Sequence, residues 1–458
     1  MQLQKLDKMK TKTIFILTLL ILFLSGGSSI AQTNSPIILS LEECKKLAFE
    51  NNFNMKNAND KIEASKQLSR QAFTNYFPNI SAAGFTYWTN RGALQYTLDI
   101  PLGQLGLGNL GLGDNFTYDI ELLKRGTAAG INLVQPIFMG GRIVNGNKLA
   151  HVGEEVSQLE QQRTHNEISY KVEEYYWKLA TLNAKKGTLS DVIEMLDTLT
   201  AYVQSYVDAG VTTMNELLQV KLKRNQMQSN MVDLDNGINL VKMALAQTLG
   251  EGPNANIDVN PSPLNEEVPT MPLDLYVEPE KALLNTPDYR LLNSAVKASE
   301  LQERIAVGEN LPTVAGGAGY FYEHLLGQNH NFGALYITVA VPITDWWGGS
   351  HAIKKRKIEK RIAENTREDM SQMLIINMTN CWNDIKAARD KITIAIESIS
   401  QSKENLRLNK AYYEAGIVTL TDLLEAQTLY KNSSDEYIEA YGNFMLKTLQ
   451  YKQATGQE

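Results

Sequence analysis

Hydrophobic and polar positions along the chain switch between two periods, and the switching happens twice in the same order. From Ser40-Leu41-Glu42-Glu43, a start with capping-box spacing, apolar residues recur at helical intervals to about Phe77. Pro78 ends that run, and Ile80 to Trp88 alternates with a period of two, as a strand with one apolar face does. A stretch rich in Gly and Leu follows, over about residues 90–120. Alternation resumes from Ala129, with Ile131, Leu133 and Gln135 on one face and Gly130, Asn132 and Val134 on the other, and it closes at Pro136. Gly140-Gly141 then leads into a polar, proline-free, helix-forming run from Ile143 to Asp208. At ~1.5 Å per residue this predicts a rod of about 100 Å, far longer than an ordinary globular helix. Gly210 turns the chain back, and Leu234, Ile238, Val241, Leu245 and Leu249 mark an apolar stripe on the return helix.

Prolines 253, 261, 263, 269 and 272 break the pattern, which then repeats. Glu278 to Glu309 reads as helix, Pro312 takes the place of Pro78, and Val314 to Tyr322 alternates. His324 and His330 fall in an expected short loop, after which Leu335, Ile337, Val339 and Val341 alternate with Tyr336, Thr338 and Ala340. Pro342 and Gly348-Gly349 precede a helical run from Ile353 to Glu414, a tip at Gly416, and a return helix to about Lys452. Pro136 to Gly210 and Pro342 to Gly416 are both 74 residues, and the main difference between the copies is 28 extra residues between the first pair of strands. Insertions of that size belong on exposed loops. The chain therefore reads as a duplication. Its expected parts are a leader over 1–31, a first repeat over 32–250 and a proline-rich linker over 251–275, followed by a second repeat over 276–458. Strands are expected at about 79–90, 127–137, 313–323 and 332–342, and long hairpins over 143–250 and 351–452.

The two tips are spelled alike. Ala415-Gly416-Ile417-Val418-Thr419-Leu420-Thr421-Asp422-Leu423-Leu424 echoes Ala209-Gly210-Val211-Thr212-Thr213-Met214-Asn215-Glu216-Leu217-Leu218, 206 residues earlier. In each, Gly sits where a helix end wants a left-handed residue, and Thr follows where it can cap the next helix.

Composition sharpens this picture. The 458 residues are 43% hydrophobic, with a formal net charge of −7. Lys5, Lys8, Lys10 and Lys12 precede an apolar run from Ile14 to Leu24, and Ser29-Ile30-Ala31 suits cleavage before Gln32. This is the pattern of a secretory signal peptide, too short in its apolar part to span a bilayer. Its loss takes the net charge to about −10, a poor match to nucleic acid. No later stretch is apolar enough for a spanning helix, but alternating barrel strands escape that criterion. Cys44 and Cys381 are expected to be small helix-packing residues.

Each repeat supplies two strands with one apolar face, and four strands cannot close a barrel or leave their edges in lipid. Closure requires several copies related by rotation, with the rods packing sideways into a cylinder.

On these grounds the sequence resembles the TolC-like outer-membrane efflux protein family over essentially the whole mature chain. Gln135-Pro136-Ile137-Phe138-Met139-Gly140-Gly141-Arg142 is close to a recurrent family motif after the second strand. Val341-Pro342-Ile343 with Trp347-Gly348-Gly349 is its partner, and Gly416 to Gln427 is similar to the family's helix-turn-helix tip. The resemblance implies a mainly α fold with a membrane β-barrel contribution, in which a homotrimer forms a twelve-stranded barrel and an α-helical periplasmic tunnel. It also implies an outer-membrane lipid setting, a periplasmic membrane-fusion adaptor, an inner-membrane transporter, and passive export of drugs or other small molecules. A duct for a type I protein secretion system and a periplasmic coiled-coil adaptor or scaffold without a pore are the competing readings.

Asp422 and Glu425 share a face at the start of a helix, and threefold symmetry would gather six such carboxylates; by resemblance they ring the periplasmic aperture and favour cations. A carboxylate there also suits the helix dipole on its own account. By the same resemblance Tyr413 helps to hold the aperture shut and Glu216 is its partner on the neighbouring hairpin, whereas the family's basic tip residue is replaced by Val418. Gly210, Leu217, Leu218, Gly416, Leu423 and Leu424 are the expected adaptor-docking positions, with the leucines also available to the core. Gly106-Leu107-Gly108-Asn109-Leu110-Gly111 has the spelling of a dinucleotide loop without the strand and helix around it. His151 and His165 lie too far apart on one helix to share an ion, and no catalytic set, metal site or cofactor is expected.

Overall fold

The computed structural model describes residues 37–91, 94–100, 116–122, 124–259, 267–325, 327–343 and 345–457 of the chain. The expected leader and the Gly106–Gly111 run lie outside the described residues. A short strand β1 (Ile37–Leu39) opens the fold and pairs in parallel with β6 (Ile257–Val259), which follows the first repeat. Helices α1 (Leu41–Asn51) and α2 (Phe53–Thr74) lead to β2 (Asn79–Trp88). The hairpin β3 (Leu94–Ile100) and β4 (Phe116–Leu122) precedes β5 (Arg125–Phe138). Helices α3 (Arg142–Asp208) and α4 (Met214–Leu249) complete the first repeat. The second consists of α5 (Pro279–Leu283), α6 (Pro287–Glu309), β7 (Thr313–Leu325), β8 (Gln328–Ala340), α7 (Asp345–Glu414) and α8 (Leu420–Ala454).

The capping box at Ser40 forms, with the Ser40 backbone N–H donating to Glu43 Oε2 at 2.8 Å. The periodic run behind it is not one helix. Asn52 adopts extended backbone, accepts from the Asn54 amide at 2.8 Å, and donates to the Thr248 carbonyl at 2.8 Å. Apolar periodicity continues across this break, which is why the sequence reads through it; the asparagine side chain competes with the helical ladder. The run from Glu278 breaks likewise, where Thr286 caps α6 and Pro287 brings no amide hydrogen to continue α5.

Strands β2, β5, β7 and β8 form one antiparallel sheet in that order, so each repeat contributes a hairpin and β5–β7 joins them. Register places Ile80, Leu133 and Ala318 in one row with Leu335. Ile131, Ile337 and Val339 extend the same face, and all three are exposed. The other face carries Ser81, Asn132 and Tyr336, and the Tyr336 hydroxyl on β8 reaches over β7 to donate to Asn132 Oδ1 on β5 at 2.8 Å. Gly317 makes room for that ring, since a Cβ there would run into it. β2 and β8 are the outer strands and are exposed almost throughout.

Two expectations about this sheet change. The insertion in the first repeat is not simply a loop: β3 and β4 pair over seven residues as a second hairpin. His324 and His330 are strand residues, opposite Asn329 and Glu323, because pairing runs on to Leu325–Gln328 and Gly327 takes the left-handed turn conformation at φ 78°. Helix α7 begins at Asp345 and so includes Gly348 and Gly349; the glycines sit inside its first turns, and the Asn310 side chain occupies the place that a Cβ at Gly349 would take.

The long helices α3 and α7, of 67 and 70 residues, are each about 100 Å long at ~1.5 Å per residue. They hold through lateral apolar clusters rather than one central core. One cluster packs Leu179, Leu245 and Leu249 with Cys44 and the β1–β6 pair; another gathers Trp382, Ile385 and Tyr451 with Cys381. Both cysteines are free and buried in different clusters. A third cluster, with Leu196, Val203, Leu217 and Leu420, lies toward the hairpin tips. Among the described residues, no helix is long and apolar enough to cross a membrane.

Candidate functional site

The two hairpin tips fold by one set of hydrogen bonds. Gly210 and Gly416 adopt φ of 72° and 73°. Their amides donate to Val207 and Tyr413, and the next amides, Val211 and Ile417, donate to Tyr206 and Tyr412, each at 2.8 Å. This is a Schellman ending, so the repeated spelling becomes a repeated backbone. Thr419 then caps α8: its hydroxyl and amide donate to Asp422 Oδ2 at 2.6 and 2.9 Å, and the Asp422 amide donates back to the hydroxyl. Thr213, the equivalent residue, makes no side-chain cap bond.

The carboxylate equivalent to Asp422 is Glu216, third residue of α4. It reaches the other hairpin instead: Tyr413 Oη donates to Glu216 Oε2 at 3.3 Å. Tyr202 stands edge-on to Tyr413 with centroids 6.5 Å apart, and its hydroxyl donates to Tyr206. Burial, then the Glu216 charge and hydrogen bond, push the Tyr413 hydroxyl up to about 12. Thr419's hydrogen bonds hold the Asp422 carboxyl below the usual carboxylate range.

Asp422 and Glu425 both lie exposed near the start of α8. The Leu-Leu pairs divide between core and surface. Leu217 is 1% exposed and Leu423 is 5% exposed, whereas Leu218 is 51% exposed and Leu424 is half-buried. Adjacent helix positions point about 100° apart, so one leucine of each pair is committed inward and is not offered to a partner. A Cβ on Gly210 or Gly416 would meet nothing within 4 Å, so both tips are open on the outside. The sequence reading misses Tyr202, Tyr206 and Gln427; the i, i+4 tyrosine spacing one turn ahead of Gly210 is the signal that points to the first two.

The histidines are held individually. His165 stacks on Phe49 with centroids 3.8 Å apart, His151 meets Ser69 at 3.3 Å, and His324 meets Asn329 at 2.6 Å. Among the described residues no group of three or more His, Cys, Asp or Glu is placed to hold a metal ion.

The chain matches the outer membrane efflux protein family over residues 45–251 and 279–457, that is, both repeats. It is 21% identical to the outer membrane protein TolC of Escherichia coli over 378 residues, 76% of this chain and 74% of that protein. Its fold superposes on that of the outer membrane protein VceC of Vibrio cholerae with a TM-score of 0.73 at 16% identity, covering 91% of this chain and 96% of the other. The open state of the MtrE outer membrane channel of Neisseria gonorrhoeae superposes with a TM-score of 0.71 at 15% identity, covering 94% and 93%.

Proposed function

The chain belongs to the outer membrane efflux protein family, and on that footing we propose that it is the exit duct of a tripartite export system for small molecules. Its setting is the outer membrane, with the helical rods in the periplasm. It acts as a passive conduit rather than as an enzyme, taking cargo from an inner-membrane transporter through a periplasmic adaptor.

The observation that carries this reading is the open sheet. β2 and β8 present long, exposed edges with an apolar outer face, and such edges are tolerated in lipid only when paired. Three copies, joining β8 of one to β2 of the next, close a twelve-stranded barrel, and their helices continue it as a tunnel. The first and second repeats, joined by the linker, are then two pseudo-equivalent halves of each protomer's share of the ring. At the far end, Tyr413 and Glu216 hold neighbouring hairpins together at the aperture, and Asp422 and Glu425 supply its acidic ring. Gly210, Leu218, Gly416 and Leu424 form the outward surface on which the adaptor seats its own hairpin, while Leu217 and Leu423 support it from within.

The test is to extract the mature chain with its native outer membrane, assay heat-modifiable trimer migration, and measure conductance in planar bilayers. A water-soluble monomer overturns the duct. Loss of toxic small-molecule efflux in a deletion strain supports the cargo class; loss only of a secreted polypeptide overturns it.

A further inference from the structure

On the sheet face opposite Ile131, Leu133 and Leu335, strand register sets out side chains in rows. Phe85, Ala128, Glu323 and His330 form one row across β2, β5, β7 and β8, and Ala83, Gly130, Phe321 and Phe332 form the next. Along these rows runs a groove of about 400 Å³, within the size range of small-molecule sites. Its floor is small: Ser81, Ala83, Ala128 and Gly130. Phe85 walls it from β2, and Phe321 and Phe332 wall it from β7 and β8. Asn132 lines it too, with Oδ1 already taken by Tyr336. Ala129 and Tyr322 also border it, with their side chains turned to the other face by alternation.

The aromatic rings of this face divide into two kinds. Tyr87, Phe321 and Tyr336 lie over strand glycines: a Cβ on Gly126, Gly130, Gly319 or Gly317 would strike one of them. Rings of that kind cover missing side chains, and packing accounts for them. Phe85 and Phe332 cover no such glycine and are 64% and 48% exposed. Exposed phenylalanines are out of place on the inner wall of a barrel, which is ordinarily polar. Each is backed by a second ring, Phe332 by Phe321 at 5.4 Å between centroids and Phe85 by Tyr87 at 6.4 Å.

Charge decides what such walls can hold. Among the described residues lining the groove, Glu323 alone is charged. Its side chain is 35% exposed and meets His330 Nδ1 only at 3.9 Å, too long for a hydrogen bond, so the carboxylate stays open to a further partner. The backbones of Phe85 and Glu323 are two strand spacings apart, about 10 Å, so one ligand lying on Ala128 reaches both. Aromatic faces attract cations, quaternary nitrogen included, and the carboxylate adds to that attraction while repelling anions. We propose that this groove binds a flat aromatic organic cation, stacked on Phe85 with its positive charge toward Glu323. That the bound cation sits inside the conduit rests on the barrel reading under Proposed function; the binding itself does not. Three symmetry-related grooves then line the inner wall, and each occupant offsets one Glu323 charge.

N-methylquinolinium and its neutral counterpart quinoline are the probes, titrated at neutral pH into the detergent-solubilised mature chain by saturation-transfer NMR, with detergent alone as the blank. N-methylquinolinium binds the native chain at least threefold more tightly than quinoline does. Glu323→Gln weakens the cation at least threefold and leaves quinoline unchanged. Phe85→Leu, which keeps the bulk and removes the ring, weakens both, and Phe332→Leu on the opposite wall does the same. Equal binding of the cation by the native chain and these three variants overturns the site, as does no binding to the native chain at millimolar concentration. In planar bilayers under a salt gradient, N-methylquinolinium shifts the reversal potential of the native channel toward weaker cation preference and leaves that of Phe85→Leu in place. Binding to a conducting channel with no such shift overturns the placement on the inner wall. Binding by a chain that forms no channel overturns the duct and leaves the groove.

Discussion

Glu216 and Asp422 hold the same place, third residue of a return helix, in the two halves of the chain, yet their carboxylates bind different partners. Asp422 closes a capping box on its own Thr419, while Glu216 accepts the hydroxyl of Tyr413 on the other hairpin. Two things separate them: the extra methylene of Glu, and Val207 standing where the second half has Tyr413. A duplicated tip has thus diverged into one self-capped hairpin and one that is tied to its neighbour.

Tyr413→Phe removes the tie and keeps the ring. A hydrogen bond to a charged group is worth about 1.5 kcal/mol, so the shut arrangement should lose roughly tenfold in population, read as more frequent openings in planar bilayers. The pH dependence has a definite sign. Tyr413 sits at about 12 against an ordinary 10, so its stabilising contribution is complete below about pH 10 and is lost as pH rises toward 12. Tyr413→Phe should remove that alkaline loss.

Thr419→Ala should loosen the first turn of α8, with amide hydrogen exchange there about fivefold faster, while the α4 turn, which lacks a side-chain cap, is unaffected by Thr213→Ala. Asp422 is held low by Thr419, so its contribution is present above the ordinary carboxylate value of 3.8 and is lost as pH falls below it. Exchange at the α8 start should therefore rise in acid in the native chain and be flat in Asp422→Asn.

Asp422→Asn combined with Glu425→Gln should reduce the cation preference of the channel, measured as a reversal potential in a salt gradient, by several-fold at low ionic strength where screening is weak. Unchanged preference would show that the acids serve only the helix start.

Gly140 and Gly308 touch backbone to backbone where β5 hands over to α3, and a Cβ on either would strike the other's main chain. Gly308→Ala should cost about 3 kcal/mol by overpacking, read as loss of folded outer-membrane protein. Gly187→Ala, in open space inside α3, should gain about 0.5–1 kcal/mol.

Lys45 and Glu173 form an ion pair at 2.5 Å, with side chains 17% and 9% exposed, between α1 and α3. Glu173→Ala removes the carboxylate paired with the half-buried Lys45 ammonium and should cost about 1–3 kcal/mol in thermal or denaturant unfolding, whereas the double exchange Lys45→Met with Glu173→Leu should fall closer to neutral.

Much of this was legible before any coordinates. The Pro- and Gly-led punctuation, the alternation from Ala129 and the proline-free run to Asp208 are local properties, and β5 and α3 form where they predict. The breaks at Asn52 and Thr286, the pairing of His324 and His330 in strands, and the β3–β4 hairpin were not legible, because apolar periodicity is blind to a capping side chain and a turn is settled by its partner strand. At the tips the sequence marked Tyr413, Glu216 and Asp422 but not Tyr202, Tyr206 or Gln427.

By itself the sequence determined the order of the main strands and long helices, the duplication and the tip conformation, since period, proline and left-handed glycine act within a few residues. Only the tertiary structure decided that β5 joins β7, that Leu217 and Leu423 turn inward, that one tip carboxylate caps and the other ties, and that Gln427 is buried unpaired. Those outcomes depend on which surfaces meet across some two hundred residues, and contact between distant faces is a property of packing, which no local pattern encodes.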